Sequence, residues 1–254
     1  MWCACLLRLG LWAGLVVLLA ACGLWGNGSA EAGPRRAGRA PLAVSSASAS
    51  APARPTAIPR RWDALDCTGQ ERLLTALAPV TPADRALAQA GVQVLCALRA
   101  GRWDLVADFV HPRVGVRLSP DAYLSDDDLH FAAEDLADLP NDPTVWVWGV
   151  DPASGRPLAL TFAAYAARYV YDGPYWEQGR PALDARQVAS TVVDNHTAYF
   201  PAARVVEFYL PGTAAYRGLD GRSLRLIFQP GEELPAGLAG TWCLVAIAHD
   251  AWVP

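Results

Sequence analysis

The run Ala203–His249, ARVVEFYLPGTAAYRGLDGRSLRLIFQPGEELPAGLAGTWCLVAIAH, decides the fold. Three segments within it, ARVVEFYL, RSLRLIFQ and TWCLVAIAH, are rich in β-branched and aromatic residues and alternate with a period of two. Turns rich in Pro and Gly separate them, so they predict an antiparallel meander. Strict alternation in the last segment puts Cys243, Val245, Ile247 and His249 on one face, and Trp242, Leu244, Ala246, Ala248 and Asp250 on the other. His249 and Asp250 therefore point apart and do not pair with each other.

Helical periodicity precedes the strands. Thr68–Leu77 and Pro82–Ala100 predict two helices joined at APVTP, with Thr81 as N-cap and Pro82 at the first helical position. RWDLVADFVHP predicts a third helix ending at Pro112, where His111 would bond the last carbonyls. VGVRLS reads as a short strand. Ser125 ahead of DDDLHFAAEDLADL predicts a fourth helix whose first turn holds Asp126, Asp127 and Asp128. TVWVWGV and RPLALT flank DPASG as a hairpin, and Thr161 caps a helix over FAAYAARYVY. Residues 172–202 lack a clear period; a short helix is expected near Leu183–Ala189, within a segment lying over the sheet. Helices first and a meander last make the class α+β, with N-terminal helices packed on a curved antiparallel sheet.

The first residues, MWCACLLRLGLWAGLVVLLAACGLWG, carry the early charge of Arg8, an apolar run, and small residues before Cys22. That is the plan of an export signal. Leu19-Ala20-Ala21-Cys22 resembles the bacterial lipobox, which implies a signal over 1–21 and a diacylglyceryl group on the Cys22 thiol. The alternative is an uncleaved anchor, because the run approaches the roughly 18 to 20 residues that span a bilayer. Residues 22–61 are rich in Ala, Ser, Pro and Arg and read as a disordered tether, leaving one domain over 62–254. Either form of attachment places that domain on the extracytoplasmic side of the cell membrane.

All basic residues are Arg; with no Lys, Schiff-base chemistry and a phosphate-loop lysine are excluded. From Trp62 onward 14 Arg face 24 acidic residues, a formal charge of −10, which argues against nucleic acid as the domain's partner. With Cys22 lipidated and the signal removed, Cys67, Cys96 and Cys243 remain. Cys67 and Cys96 come level in an antiparallel helix pair, so a disulfide between them stands beside the alternative of three reduced thiols. No metal site and no cofactor are expected.

Charged residues on the strands give the candidate site. Glu207 shares a face with Val205 and Tyr209, and Arg225 with Ser223 and Ile227, so neighbouring strands would allow a Glu207–Arg225 ion pair. A pocket lined by Glu207, Tyr209, Arg225 and His249 is the candidate ligand site, and Glu207, His249 and His196 are the candidate acid–base groups. No nucleophile elbow, zinc-protease helix or dinucleotide fingerprint occurs.

Several strings taken together, FVHPRVGVRLSP, WVWG with PLALTFAAY, VDNHTAYFPAARVVEFYLPG, YRGLDGRSLRLIF and LVAIAHDAWVP with its closing His-Asp-x-Trp, resemble a family of uncharacterised exported bacterial lipoproteins. The resemblance implies no activity. The element order is similar to the cone-shaped nuclear-transport-factor-like fold, also called SnoaL-like, in which helices precede a curved sheet around a pocket. The expected role is a ligand-binding or interaction module at the cell envelope, meeting a small ligand or an envelope protein. A hydrolase or isomerase working in a cone pocket and a purely structural envelope protein are the alternatives.

Overall fold

The computed structural model describes residues 61–151, 155–231 and 242–252. The expected export signal, Cys22 and the expected tether before Arg61 lie outside the described residues. The strands are β1 (Val116–Ser119), β2 (Leu129–Phe131), β3 (Val145–Val150), β4 (Pro157–Thr161), β5 (Arg180–Leu183), β6 (Arg204–Leu210), β7 (Arg222–Pro230) and β8 (Trp242–Ala251). The α-helices are α1 (Gln70–Leu77), α2 (Pro82–Arg99), α3 (Trp103–Val106), α4 (Phe162–Tyr169), α5 (Tyr175–Gln178) and α6 (His196–Tyr199). Six strands form one sheet in the order β2-β1-β8-β7-β6-β5, and β3 and β4 form a separate two-stranded sheet.

The class is α+β, as the patterning predicts, but the large sheet is mixed. β6, β7 and β8 make the antiparallel meander, whereas β1 joins β8 in parallel, Leu118 opposite Ile247. The sheet is open, ending at β2 and β5.

Helix α2 is fixed at its start by a reciprocal cap. The Thr81 hydroxyl accepts from the Asp84 N–H at 3.1 Å, and the Asp84 carboxylate accepts from the Thr81 N–H at 2.8 Å. Its apolar side packs on one face of the sheet, where Val206, Phe208, Leu224, Leu226, Phe228, Leu244 and Ile247 join Leu87, Val94 and Leu95 in the main core. Cys67 and Cys96 are bonded across the α1–α2 hairpin with Cα atoms 5.8 Å apart. Cys243 is buried in β8.

Three expectations about helices are overturned. Residues 126–139 do not form a helix: Asp126–Asp128 make a turn, and Leu129–Phe131 pair with β1 as an edge strand. The aspartates close that turn instead of a helix, the Asp128 carboxylate accepting from the Ser125 N–H at 2.8 Å. The expected third helix stops at Val106 and passes through a 3₁₀ turn, Ala107–Phe109, because Val110 and His111 are drawn into bridges with Leu244 and Gly115. His111 accordingly accepts from the Arg113 and Val114 N–H groups. Near Leu183–Ala189 there is no helix; Arg180–Leu183 is instead strand β5, the sheet's edge beside β6.

A bulge in β8 changes which residues share a face. Ile227 lies opposite Ala246 and Phe228 opposite Leu244, so Val245 is the extra residue. The phase slips there, and Ile247 and His249 fall on the face of Leu244, with Ala246, Ala248 and Asp250 on the other. Strict alternation across Val245 is thus corrected, while the separation of His249 from Asp250 holds.

Contact between α2 and the sheet is close at one point. A Cβ built on Gly91 would sit 2.7 Å from Val206 Cγ1. Gly91→Ala should therefore destabilise the fold by about 1 to 3 kcal/mol through overpacking, despite alanine's better helix propensity, read as a lower denaturation midpoint with unchanged slope.

Candidate functional site

The face of the sheet opposite α2 is covered by residues 184–203, and charged side chains join the two. Glu207 and Arg225 are cross-strand partners on β6 and β7, their Oε2 and Nη1 atoms 3.7 Å apart. Both are almost fully buried. The Ser223 hydroxyl donates to Glu207, and the Gln187 N–H reaches its two oxygens at 3.2 and 3.1 Å. Arg225 also donates to Asp194, whose other oxygen meets His196 Nδ1 at 2.6 Å. Tyr209 is on this face too, opposite Ser223 in register.

Asp250 completes the network from β8. Arg186 holds it through two parallel bonds, Nε to Oδ2 at 2.6 Å and Nη2 to Oδ1 at 2.8 Å, and donates to the Val192 carbonyl at 2.6 Å. The Ser190 hydroxyl donates to the Ala251 carbonyl, and the Asn195 amide pairs with both backbone groups of Leu124. Segment 184–203 is therefore a strap, fastened to the sheet by side chains instead of by a strand ladder.

Burial pushes the Glu207 carboxyl above its ordinary value, against the opposing pull of Ser223, Arg225 and the Gln187 N–H. Burial pushes Asp194 up as well, but His196 and Arg225 outweigh it and hold that carboxyl below its usual range. The hydrogen bonds that Arg186 donates to Asp250 raise the Arg186 pKa.

His249 faces the other way. Its Nε2 lies 3.4 Å from the Asp172 carboxylate, and its ring meets Tyr169 edge to face with centroids 5.7 Å apart. Asp172 also accepts from the Tyr175 hydroxyl at 2.6 Å and pairs with Arg222. Burial raises the Asp172 carboxyl, yet His249, Tyr175 and Arg222 together hold it below its ordinary value. The structure thus unites Glu207, Arg225 and Tyr209 on one face, brings His196 to them through Asp194, and leaves His249 on the other side of the sheet. A single pocket shared by Glu207 and His249 is ruled out by this geometry.

Sequence reasoning missed Arg186 and Asp172. Neither sits in a periodic element, and nothing local marks either as the partner of a C-terminal residue. Asp250 itself carried a weak signal, an acid placed on a strand among apolar neighbours.

Two clefts open on the described surface. One, of about 630 Å³, is lined by Phe131, Trp146, Glu134, Asp135, Asp138 and Asp142, among others. The second, of about 290 Å³, is lined by Val114, Arg117, His130, Tyr199, Phe200 and Val245. Among the described residues no group of three or more His, Cys, Asp or Glu is arranged to hold a metal ion. No known protein family, curated protein or solved structure matches the chain.

Asp250→Ala should destabilise the fold by about 2 to 4 kcal/mol, somewhat under the usual cost of breaking a buried pair because Arg186 retains some solvent access. Adding Arg186→Met should recover part of that loss, and a double-mutant cycle in urea measures the coupling. Asp128 provides a pH-dependent check. Burial pushes its carboxyl up to about 6 from the ordinary value of 3.8. The folded state then binds the proton more tightly than the unfolded state, so Asp128 favours folding below about pH 4 and loses that contribution as pH rises through about 6. Asp128→Asn should therefore match the wild type below about pH 4 and exceed it by up to about 3 kcal/mol above pH 6, in urea melts across that range.

Proposed function

We propose that this is a lipid-anchored protein of the exported bacterial lipoprotein type, whose domain serves as a ligand-binding or interaction module on the extracytoplasmic side of the membrane. The lipobox at Cys22 and the tether after it support the anchor. The acidic domain, at −10 from Trp62 onward, argues against nucleic acid as its partner.

One observation carries the binding reading over the enzymatic one. Each acid–base candidate is engaged by another side chain: Glu207 by Arg225 and Ser223, His196 by Asp194, His249 by Asp172, with the sheet between the first two and the third. A hydrolase or isomerase needs an acid and a base converging on one opening. Such groups fixed in mutual pairs suit a rigid scaffold that presents a surface.

Two measurements test this reading. Cells fed labelled palmitate should label the wild type and not Cys22→Ser; an unlabelled wild type removes the anchor. A thermal-shift screen of the full-length protein with small acids, amines and neutral aromatics should find at least one class that raises Tm by about 2 °C or more. Substrate consumption that disappears in a folded His249→Ala variant would return the assignment to an enzyme.

A further inference from the structure

The smaller cleft joins an arginine, a histidine and two aromatic rings at one opening. Arg117 on β1 and His130 on β2 are direct cross-strand partners, so their side chains rise from the same face, the one beneath the strap. Helix α6 of the strap brings Tyr199 and Phe200 over them. The Tyr199 ring lies 5.0 Å from the Arg117 guanidinium, and its hydroxyl donates to Asp126 at 2.9 Å, which fixes the ring's position. Val114 and Val245, the latter raised by the β8 bulge, complete the walls.

Arg117 lines this space, with the largely buried Asp128 carboxyl close enough to feel its charge. Its hydrogen-bond partners among the described residues are two carbonyl oxygens, of Ser125 and Asp128, both reached from Nη1. A guanidinium has five N–H donors in a planar fork, so the remainder can address a carboxylate through two parallel bonds. This stands out in a domain of net charge −10, whose other described cleft is lined by four carboxylates. An anion is favoured at Arg117 and repelled at the larger cleft. The volume of about 290 Å³ holds on the order of ten non-hydrogen atoms.

We propose that the groove between β1, β2 and α6 binds a small organic carboxylate with a planar apolar body, its carboxylate on Arg117 and His130 and its body between Tyr199, Phe200 and Val245. This rests on the binding-module reading and gives it a ligand class. Sequence contributes to the site from both sides: Arg117 belongs to the short strand VGVRLS, and the two rings to the unperiodic segment for which composition offered no role.

The test uses the full-length protein in detergent, titrated with benzoate, acetate, benzylamine and benzyl alcohol. Benzoate should bind about tenfold more tightly than benzylamine or benzyl alcohol. Arg117→Gln should weaken benzoate by about tenfold or more. Because Arg117 also ties down the 125–128 turn, two further variants carry the test if that one unfolds. Phe200→Ala should lower affinity for benzoate and leave acetate unchanged, and His130→Ala, at an exposed position, should weaken both acids. Equal binding of the amine or the alcohol, or indifference of benzoate to Phe200→Ala and His130→Ala, overturns the proposal. If other compound classes raise Tm while carboxylates are inert, the carboxylate site falls and the binding module stands; if no class does, both fall.

Discussion

The buried ion network beneath residues 184–203 is the constraint on which the rest of the structure depends. An ionised pair taken out of water is costly unless geometry and further hydrogen bonds compensate. Here Glu207 has Arg225, Ser223 and the Gln187 N–H; Arg225 has Asp194 in addition; Asp250 has both arms of Arg186. Each group from the sheet is matched by one from the strap. Without the strap, the sheet would expose three charged groups set among Val205, Ile227, Ala246 and Ala248. Without the sheet, the strap has almost no regular backbone pairing of its own. The two therefore define each other, and the second layer of the domain adds this ion network to a small apolar cluster around Val205, Ile227 and Ala203, where the first, around α2, is held by apolar packing.

The bulge at Val245 determines how the two layers divide the C-terminal strand. Were β8 regular, Leu244 and Asp250 would share a face, and the carboxylate would project into the apolar core around Phe228 and Val206. One inserted residue puts Leu244 with Ile247 and His249, and Asp250 with the strap. The parallel β1 follows the shifted half, Arg117 against Ala246 and Ser119 against Ala248. Arg117 and Asp250 thus project toward the same layer, although one anchors the strap and the other opens onto a groove at its far end.

Much of the architecture was legible because it rests on local rules. The meander, the Trp146-bearing hairpin, the Thr81 and Thr161 caps and the α1–α2 pair each follow from a period or a cap residue. The pairing of Glu207 with Arg225 also followed from alternation once β6 and β7 were neighbours. What escaped was decided at a distance. Leu129–Phe131 carries a helical pattern, yet β1 offers an unpaired edge, and ladder bonds outweigh a weak helix preference. The bulge has no mark in WCLVAIAHD, since Val245 and Ala246 are both apolar. Arg186 lies in DARQVAS, a string without a period whose members are placed by partners far along the chain, Arg186 by one 64 residues later.

This division bears on where function can reside. The residues that sequence alone singled out as chemical, Glu207, His196 and His249, are the ones the fold consumes in holding itself together. Charged groups buried in mutual pairs have their pKa values and positions set by their neighbours, and moving a proton among them would loosen the strap. Residues left for recognition are then those whose polar atoms are only partly engaged at an opening. Arg117 meets that condition, with carbonyl partners on one nitrogen and a ring alongside. In a chain without lysine, arginine must serve both as structural cement and as recognition group. Arg186 and Arg225 donate to carboxylates, which fixes them as cement, whereas Arg117 donates to carbonyls, with the Asp128 carboxyl nearby, and lines a cleft.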